Sequence, residues 1–295
     1  MPIRLGSNSY GKSEVRVVRV VRDTPRHLIL DRNVSTALRG DFAPAYIDGD
    51  QAQVLPTDTQ KNTVYAYAKD LAAAPAEDYA VALARHFVDD VDPVTAARVS
   101  VEEYAWERIE VDRQPHEHSF VRLGQEVRTT TVTAGPDGSH VVSGLTDLVL
   151  LKSTGSEFTG FLVDELTTLQ PTQDRVLATS LTVRWRHVGT DVAWDDAYAN
   201  IKALLLARFA TVHSKALQQT LWEMGRAVLE ARDDVAEIRL VAPNRHHFVV
   251  DLDPFGRENA GEVFHADDRP YGLITAVVER DEMPPAPEAW AEWPA

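Results

Sequence analysis

Side chains that could exchange protons or make directed hydrogen bonds to a polar ligand occur in short stretches far apart in this chain. Lys12 near the start and His246 near the end could both move protons, because a lysine desolvated in a pocket has a lowered pKa and a histidine titrates near neutrality. Arg175 carries a planar fork that binds two acceptors at once. The amide of Gln218 offers a donor and an acceptor together. These residue types could hold a polar ligand and move its protons.

The same residues have ordinary structural interpretations, and the residues alone leave the choice open. Thr57 and Asp58 stand at the head of a predicted helix and could simply cap it. Phe158 could be a core residue, and Arg175 could form a surface salt bridge. Lys12 could be an exposed lysine, Gln218 a solvated helix position and His246 a structural histidine.

Several other kinds of catalytic site lack support in the sequence. His116 and His118 are the one pair among the 10 histidines that could share a metal on a strand face, and no third ligand stands out, so we expect no metal site. Residues 135–138 lack the lysine and the strand–helix context of a phosphate-binding loop. A Gly-X-Ser-X-Gly nucleophile elbow is also missing. The absence of cysteine excludes disulfides, thiolate metal sites and cysteine nucleophiles.

Length and composition are those of an ordinary folded protein. The 295 residues, 44% apolar and 25% charged, suffice for one large domain or two of usual size. No apolar run approaches the roughly 20 residues that span a bilayer, and the N-terminal residues lack the apolar segment of a signal peptide. The sequence ends without a Ser-Lys-Leu peroxisomal signal. We therefore expect a cytoplasmic protein with no membrane partner.

The net charge of −15 argues against nucleic acid as a partner, because phosphate binding needs a basic surface. An anionic substrate would gain nothing from this overall charge. Such a substrate would need a cation inside its own pocket.

The pattern of apolar residues predicts two halves, 1–135 and 136–295, each with strands flanking a pair of helices. Pro75 separates the first two helices, and Gly135-Pro136-Asp137-Gly138 predicts a turn between the halves. The tail after residue 281 is rich in proline, and we expect it to be poorly ordered or laid over a surface. Strands are predicted at 14–21, 28–37, 41–47, 99–111, 119–133, 140–151, 177–188, 236–242 and 247–252. Helices are predicted from 57 to before Pro75 and around 80–88, 197–205 and 217–228.

Five separated stretches together resemble the active site of urate oxidase (uricase), and their order and spacing cover almost the whole chain. The densest match lies between Lys152 and Arg175, with its Lys-Ser-Thr, Gly-Phe, Thr-Thr-Leu and Asp-Arg elements. The other matching stretches are Tyr10-Gly11-Lys12, Thr57-Asp58, Gln218 and Pro243-Asn244-Arg245-His246-His247-Phe248. Pro56 is a departure, because relatives often carry alanine there; it could shift Thr57 slightly.

The resemblance implies an α+β tunnelling fold (T-fold) of two tandem units, with an antiparallel sheet and helices on one face. The first unit would be residues 1–135 and the second 136–295. In this family four chains close their sheets into a barrel, and the active sites lie between subunits. A homotetramer would also cover sheet edges that a single chain leaves open.

The resemblance also implies the oxidation of urate by oxygen and water to 5-hydroxyisourate and hydrogen peroxide, with neither metal nor organic cofactor. Lys12, Thr57 and His246 would relay protons, and Asn244 would place oxygen or water. Residues expected to bind substrate are Thr57, Asp58, Phe158, Arg175, Leu217, Gln218 and Asn244. Two alternatives remain open: another T-fold enzyme acting on a purine or pterin, which would anchor its ring through a carboxylate, and a non-catalytic purine-binding oligomer.

Overall fold

The computed structural model describes residues 3–71 and 73–293, and they fold as alternating groups of long strands and paired helices. The strands are β1 (Tyr10–Val21), β2 (Leu28–Gly40), β3 (Val94–Val111), β4 (Gln114–Gly135), β5 (Gly138–Lys152), β6 (Leu177–His187), β7 (Val235–Val249), β8 (Phe264–Asp267) and β9 (Leu273–Glu279). The helices are α1 (Ala43–Ile47), α2 (Thr57–Asp70), α3 (Ala76–Asp89), α4 (Trp194–Thr211), α5 (Leu217–Ala231) and α6 (Pro287–Trp290). The predicted α+β class with antiparallel strands is confirmed.

The chain divides into two compact units. The first contains the chain up to residue 145, residues 185–197 and the described residues after 280; the second contains 146–184 and 198–280. Strands β5 and β6 each pass from one unit into the other. The division into T-fold units at residue 135 and the barrel-shaped tetramer remain predictions.

In the first unit, β1 to β4 lie side by side in chain order, each antiparallel to the next. Helix α2 packs against β1, and α3 packs against β3 and β4. The apolar face of α3, at the spacing of successive helical turns, is fully buried: Ala80, Leu83, Ala84 and Phe87. Alternating strand residues, many of them valines, supply most of the rest of this core, and Val64 of α2, Tyr79 of α3 and Trp194 of α4 also contribute.

The close approach of β1 and β2 requires glycine at position 11. A Cβ built on Gly11 would lie 1.8 Å from the carbonyl oxygen of Thr36 in β2. A larger residue would force the two strands apart next to Lys12. The Tyr-Gly-Lys element therefore contains a packing requirement as well as a candidate catalytic lysine.

In the second unit, β7 pairs antiparallel with β9 along its first half and with β8 at its end. Helix α5 packs against β7 and β9 through an apolar stripe that includes Leu221, Met224 and Val228. Gly225 lets β9 approach this helix, since an added Cβ would lie 2.6 Å from a methyl carbon of Val278. This packing fixes the start of α5 relative to β7.

Two of the predicted strand assignments are wrong. Residues 41–47, predicted as extended, contain helix α1, because Pro44 in its first turn favours a helical start and accepts a hydrogen bond from the Asp48 backbone at 2.9 Å. The strands predicted at 236–242 and 247–252 form the single strand β7. Pro243 does not interrupt it, because it lies where pairing with β9 ends and before pairing with β8 begins at His246.

The proline-rich tail lies over the first unit. Ala289 of α6 is buried, and Arg98 donates to its carbonyl oxygen at 3.4 Å. The guanidinium of Arg39 lies 4.0 Å from the ring centre of Trp293. Of the helices in the described part of the chain, none is long and apolar enough to cross a bilayer.

Candidate active site

A cleft of about 680 Å³ in the second unit brings together most of the predicted site residues. This volume is within the range of about 300–1,000 Å³ that is typical of small-molecule sites. The predicted residues that line it are Phe158, Arg175, Leu217, Gln218, Asn244 and His246. They come from three separate elements: the segment between β5 and β6, the start of α5, and the end of β7.

The segment between β5 and β6 folds back on itself and so places Phe158 beside Arg175. The backbone N–H of Phe158 donates to the Thr172 carbonyl at 2.9 Å, and the Thr172 N–H returns a bond of 3.1 Å. The N–H of Arg175 donates to the carbonyl of Ser156 at 2.8 Å. As a result the guanidinium carbon of Arg175 lies 5.2 Å from the centre of the Phe158 ring.

Arg175 is a partly buried cation, and no acidic group in the described part of the chain forms an ion pair with it. Burial lowers the pKa of its guanidinium. Its Nε is buried, and among residues 3–71 and 73–293 no hydrogen-bond partner reaches it. A buried donor without a partner is costly, so this group gains most from a ligand that brings its own acceptors. Beside an aromatic ring, the arrangement suits a flat anion.

The first turn of α5 forms another wall of the cleft. Leu217 is the first residue of this helix and is buried, whereas Gln218 is second and exposed. Gln218 therefore lies in the first turn of this helix. The first backbone N–H groups of a helix have no acceptor within it, so Leu217 and Gln218 can donate to a bound ligand.

Asn244 and His246 line the cleft from β7. They are two residues apart in a strand and so share one face. The prediction that His246 precedes a strand is wrong, because β7 continues to Val249. The ring of His246 is stacked on that of Phe248, with centres 5.6 Å apart and an angle of 17° between the planes.

His247 also lines the cleft, although alternation along the strand predicts that it points the other way. Its Nδ1 lies 3.2 Å from the Arg245 carbonyl oxygen, and its ring centre lies 6.5 Å from that of Phe264. The backbone contact occupies one ring nitrogen of His247. His246, in contrast, contacts the ring of Phe248.

Lys12 lies in the first unit, where hydrogen bonds join its strand to α2. The Lys12 N–H donates to Oγ1 of Thr36 at 3.3 Å, and that hydroxyl donates to Oε1 of the fully buried Gln60 at 2.7 Å. The hydroxyl of Tyr10 donates to the carbonyl of Leu55 at 3.0 Å. Both contacts hold the start of α2 against the strand that carries Lys12.

Thr57 and Asp58 are the first two residues of α2, and the prediction that they cap it is wrong. The N-cap is Pro56, and no side chain forms a cap hydrogen bond. The Asp58 carboxylate instead accepts bonds from Lys61 and from Asn62, the latter at 3.2 Å. The hydrogen bond and charge of Lys61 lower the pKa of Asp58, and the charge of Lys12 lowers it further.

The predicted site residues thus form two groups, Lys12, Thr57 and Asp58 in the first unit and the six cleft residues in the second. Sequence reasoning missed Asp174, which also lines the cleft. Its only sequence signal is the Asp-Arg element that it forms with Arg175. Within the described residues, no group of three or more histidines and acidic residues has the arrangement of a metal site.

Comparison with known proteins identifies one family. A family model described as Uricase matches residues 8–133 and 141–275. The uricase of Arthrobacter globiformis is 50% identical over 277 residues, which cover 94% of this chain and 90% of that protein. The uricase of Cyberlindnera jadinii is 34% identical over 299 residues, covering 96% of this chain and 99% of that protein.

Solved structures agree. A crystal structure of the Arthrobacter globiformis uricase has a TM-score of 0.93 and 48% identity, covering 97% of this chain and 98% of that one. A crystal structure of a uricase from Bacillus fastidious has a TM-score of 0.80 and 25% identity, covering 93% and 94%. With matches across nearly its full length, the chain belongs to the uricase family, the urate oxidases.

Proposed function

We propose that this protein oxidises urate with oxygen and water to 5-hydroxyisourate and hydrogen peroxide, using neither a metal nor an organic cofactor. One observation carries the proposal: the unneutralised guanidinium of Arg175 lies beside the Phe158 ring in a cleft of ligand size. In a protein with a net charge of −15, this local cation meets the requirement of an anionic substrate.

The cleft residues would hold the urate ring by stacking and by hydrogen bonds at two edges. Phe158 would lie against the ring face, and Arg175 would donate to an oxygen and a nitrogen on one edge. The Gln218 amide and the Leu217 backbone N–H would bind the opposite edge. Such a site discriminates strongly, because a ring lacking one of these groups leaves a buried polar partner unsatisfied.

Proton removal would make urate a better electron donor. The ring loses two electrons and two protons, oxygen takes them up to become hydrogen peroxide, and water then adds its hydroxyl at ring carbon 5 and its proton at nitrogen. Lys12, Thr57 and His246 would move these protons, while Asn244 would hold oxygen and later water. Asp58 would contribute its backbone N–H, since its carboxylate is engaged by Lys61.

We further propose two tandem T-fold units per chain and a homotetramer whose active sites combine residues of two subunits. The support is the separation of the candidates into two groups, each in its own compact unit. In a shared site, one chain would supply Lys12, Thr57 and Asp58, and its neighbour would supply the cleft.

Complementation between inactive variants tests this arrangement. Lys12→Ala and Arg175→Ala should each have little activity alone. When the two chains are co-expressed in equal amounts, random assembly should give intact sites in about a quarter of cases, and so about a quarter of wild-type activity.

The control is a mixture of Lys12→Ala with Thr57→Ala. Both changes damage the same group, so no combination of chains yields an intact site, and activity should stay low. Failure of the first mixture to regain activity, although mixed assemblies form, would contradict the shared site. Full activity of Lys12→Ala alone would contradict the proton relay.

A further inference from the structure

Arg175 has an acidic neighbour that does not neutralise it. Asp174 directly precedes it in the chain and also lines the cleft. An aspartate beside an arginine would ordinarily be the first candidate for an ion pair. In this structure the Asp174 carboxylate is bound elsewhere.

Both carboxylate oxygens of Asp174 accept hydrogen bonds from the segment that follows β5. The Thr154 hydroxyl donates to Oδ2 at 2.7 Å, and the Gly155 N–H donates to Oδ1 at 3.0 Å. Gly155 has a φ of 72°, in the left-handed region that favours glycine. These bonds lower the pKa of Asp174, with the Thr154 hydroxyl as the largest cause.

The backbone around Asp174 is fixed on both sides. The Thr172 hydroxyl donates to the Asp174 carbonyl at 2.8 Å, and the Arg175 N–H is bonded to Ser156 at 2.8 Å. Because these contacts hold the backbone and the two donors hold the carboxylate, the acid and the guanidinium are kept apart.

We propose that Thr154 and Gly155 sequester the Asp174 carboxylate and so keep the charge of Arg175 available for the anionic ring. Asp174 and Thr154 are positioning residues in this scheme, since they act through Arg175. The inference rests on the proposed function, because it presumes that Arg175 binds urate. Without the Thr154 hydroxyl, the carboxylate can turn to Arg175 and compete with the substrate.

The test is urate binding to the full-length protein without oxygen, by calorimetry, so that no turnover occurs. Thr154→Val should weaken binding about fivefold, the strength of a partly exposed ion pair. Thr154→Ser should bind like wild type. Adding Asp174→Asn to Thr154→Val should restore affinity, because an amide cannot neutralise Arg175. Asp174→Asn alone should bind at least as tightly as wild type and serves as a second route if the valine variant does not fold.

Thr167 provides a matched control in the same segment. Its hydroxyl donates to Oδ1 of Asp164 at 2.8 Å, and the Leu166 N–H donates to the same oxygen at 2.9 Å. Neither Thr167 nor Asp164 is among the residues that line the cleft. Thr167→Val should therefore leave urate affinity unchanged.

The outcomes separate the two claims. If wild type does not bind urate, or Arg175→Ala binds it equally well, the proposed function fails. If wild type binds through Arg175 but Thr154→Val matches Thr167→Val, only the sequestration is overturned. If Thr154→Val binds weakly and Asp174→Asn does not restore binding, Thr154 merely shapes the loop, and the sequestration is again wrong.

Discussion

Replacing Arg175 with methionine should weaken urate binding and stabilise the free protein at the same time. Methionine retains an apolar stem against Phe158 and removes the guanidinium, whose Nε is buried without a partner among the described residues. Relieving an unsatisfied buried donor contributes about 1–3 kcal/mol, and we take the lower end because the group is partly exposed. The free energy of unfolding should then rise by about 1 kcal/mol, which raises Tm by roughly 2–4 °C.

The loss of binding should be larger than the gain in stability. Hydrogen bonds to a charged group contribute about 1.5–3 kcal/mol, so removing the guanidinium should cost about 3 kcal/mol, or roughly a hundredfold in Kd. Arg175→Lys keeps the charge but loses the planar fork of the guanidinium, so its affinity for urate should lie between those of wild type and Arg175→Met. The assay is anaerobic calorimetry with urate, together with melting curves at one scan rate with and without urate.

Arg232 supplies the matched control in the same unit. Its guanidinium binds Asp234 through two nitrogens, with Nε donating to Oδ1 at 2.8 Å. Because this arginine is satisfied, Arg232→Met should lower Tm and leave urate affinity unchanged. A fall in the Tm of Arg175→Met, or an unchanged Kd, would refute the view that Arg175 is an unneutralised cation kept for substrate.

Three further outcomes are expected. Gly11→Ala should lower the free energy of unfolding by about 3 kcal/mol in urea titration, because its Cβ would lie 1.8 Å from a β2 carbonyl oxygen, whereas Gly6→Ala, with nothing within 4 Å, should not. Tyr10→Phe should cost about 1 kcal/mol in the same assay by removing the bond to Leu55, and equal stability would show that this bond is dispensable. A carboxyl group whose pKa is lower in the folded than in the unfolded protein stabilises the fold above its unfolded pKa of about 4, and it loses this contribution as the pH falls through its folded pKa. At pH values below about 4, the urea concentration at the unfolding midpoint should therefore fall, and it should fall less in Asp164→Asn. The carboxylates concerned are Asp58, Asp164, Asp174 and Asp268.

Sequence patterns predicted the four longer helices and most of the long strands, because apolar periodicity is a local property, but no strand was predicted where β8 and β9 lie. The buried stripe of α3 and the valine-rich strands follow directly from residue spacing. Proline was harder to interpret, since its effect depends on which strand pairs where. Pro44 lies in the first turn of a helix that the pattern missed, and Pro243 lies inside β7 without breaking it.

The site was predictable in composition but not in arrangement. The family resemblance identified Phe158, Arg175 and Gln218, which all line the cleft. It did not indicate that Thr154 and Gly155 bind Asp174, because that contact joins residues about twenty positions apart through a turn at Gly155. Which atoms a carboxylate contacts depends on tertiary geometry that residue types alone do not carry.

Oxygen uptake by the purified, metal-stripped protein given urate, with peroxide assayed in the same vessel, is the most direct test of the central claim. The proposal predicts one peroxide formed for each oxygen consumed, with no added metal or cofactor. The claim would be contradicted if oxygen uptake required an added metal or cofactor. It would also be contradicted if the protein bound urate but consumed no oxygen.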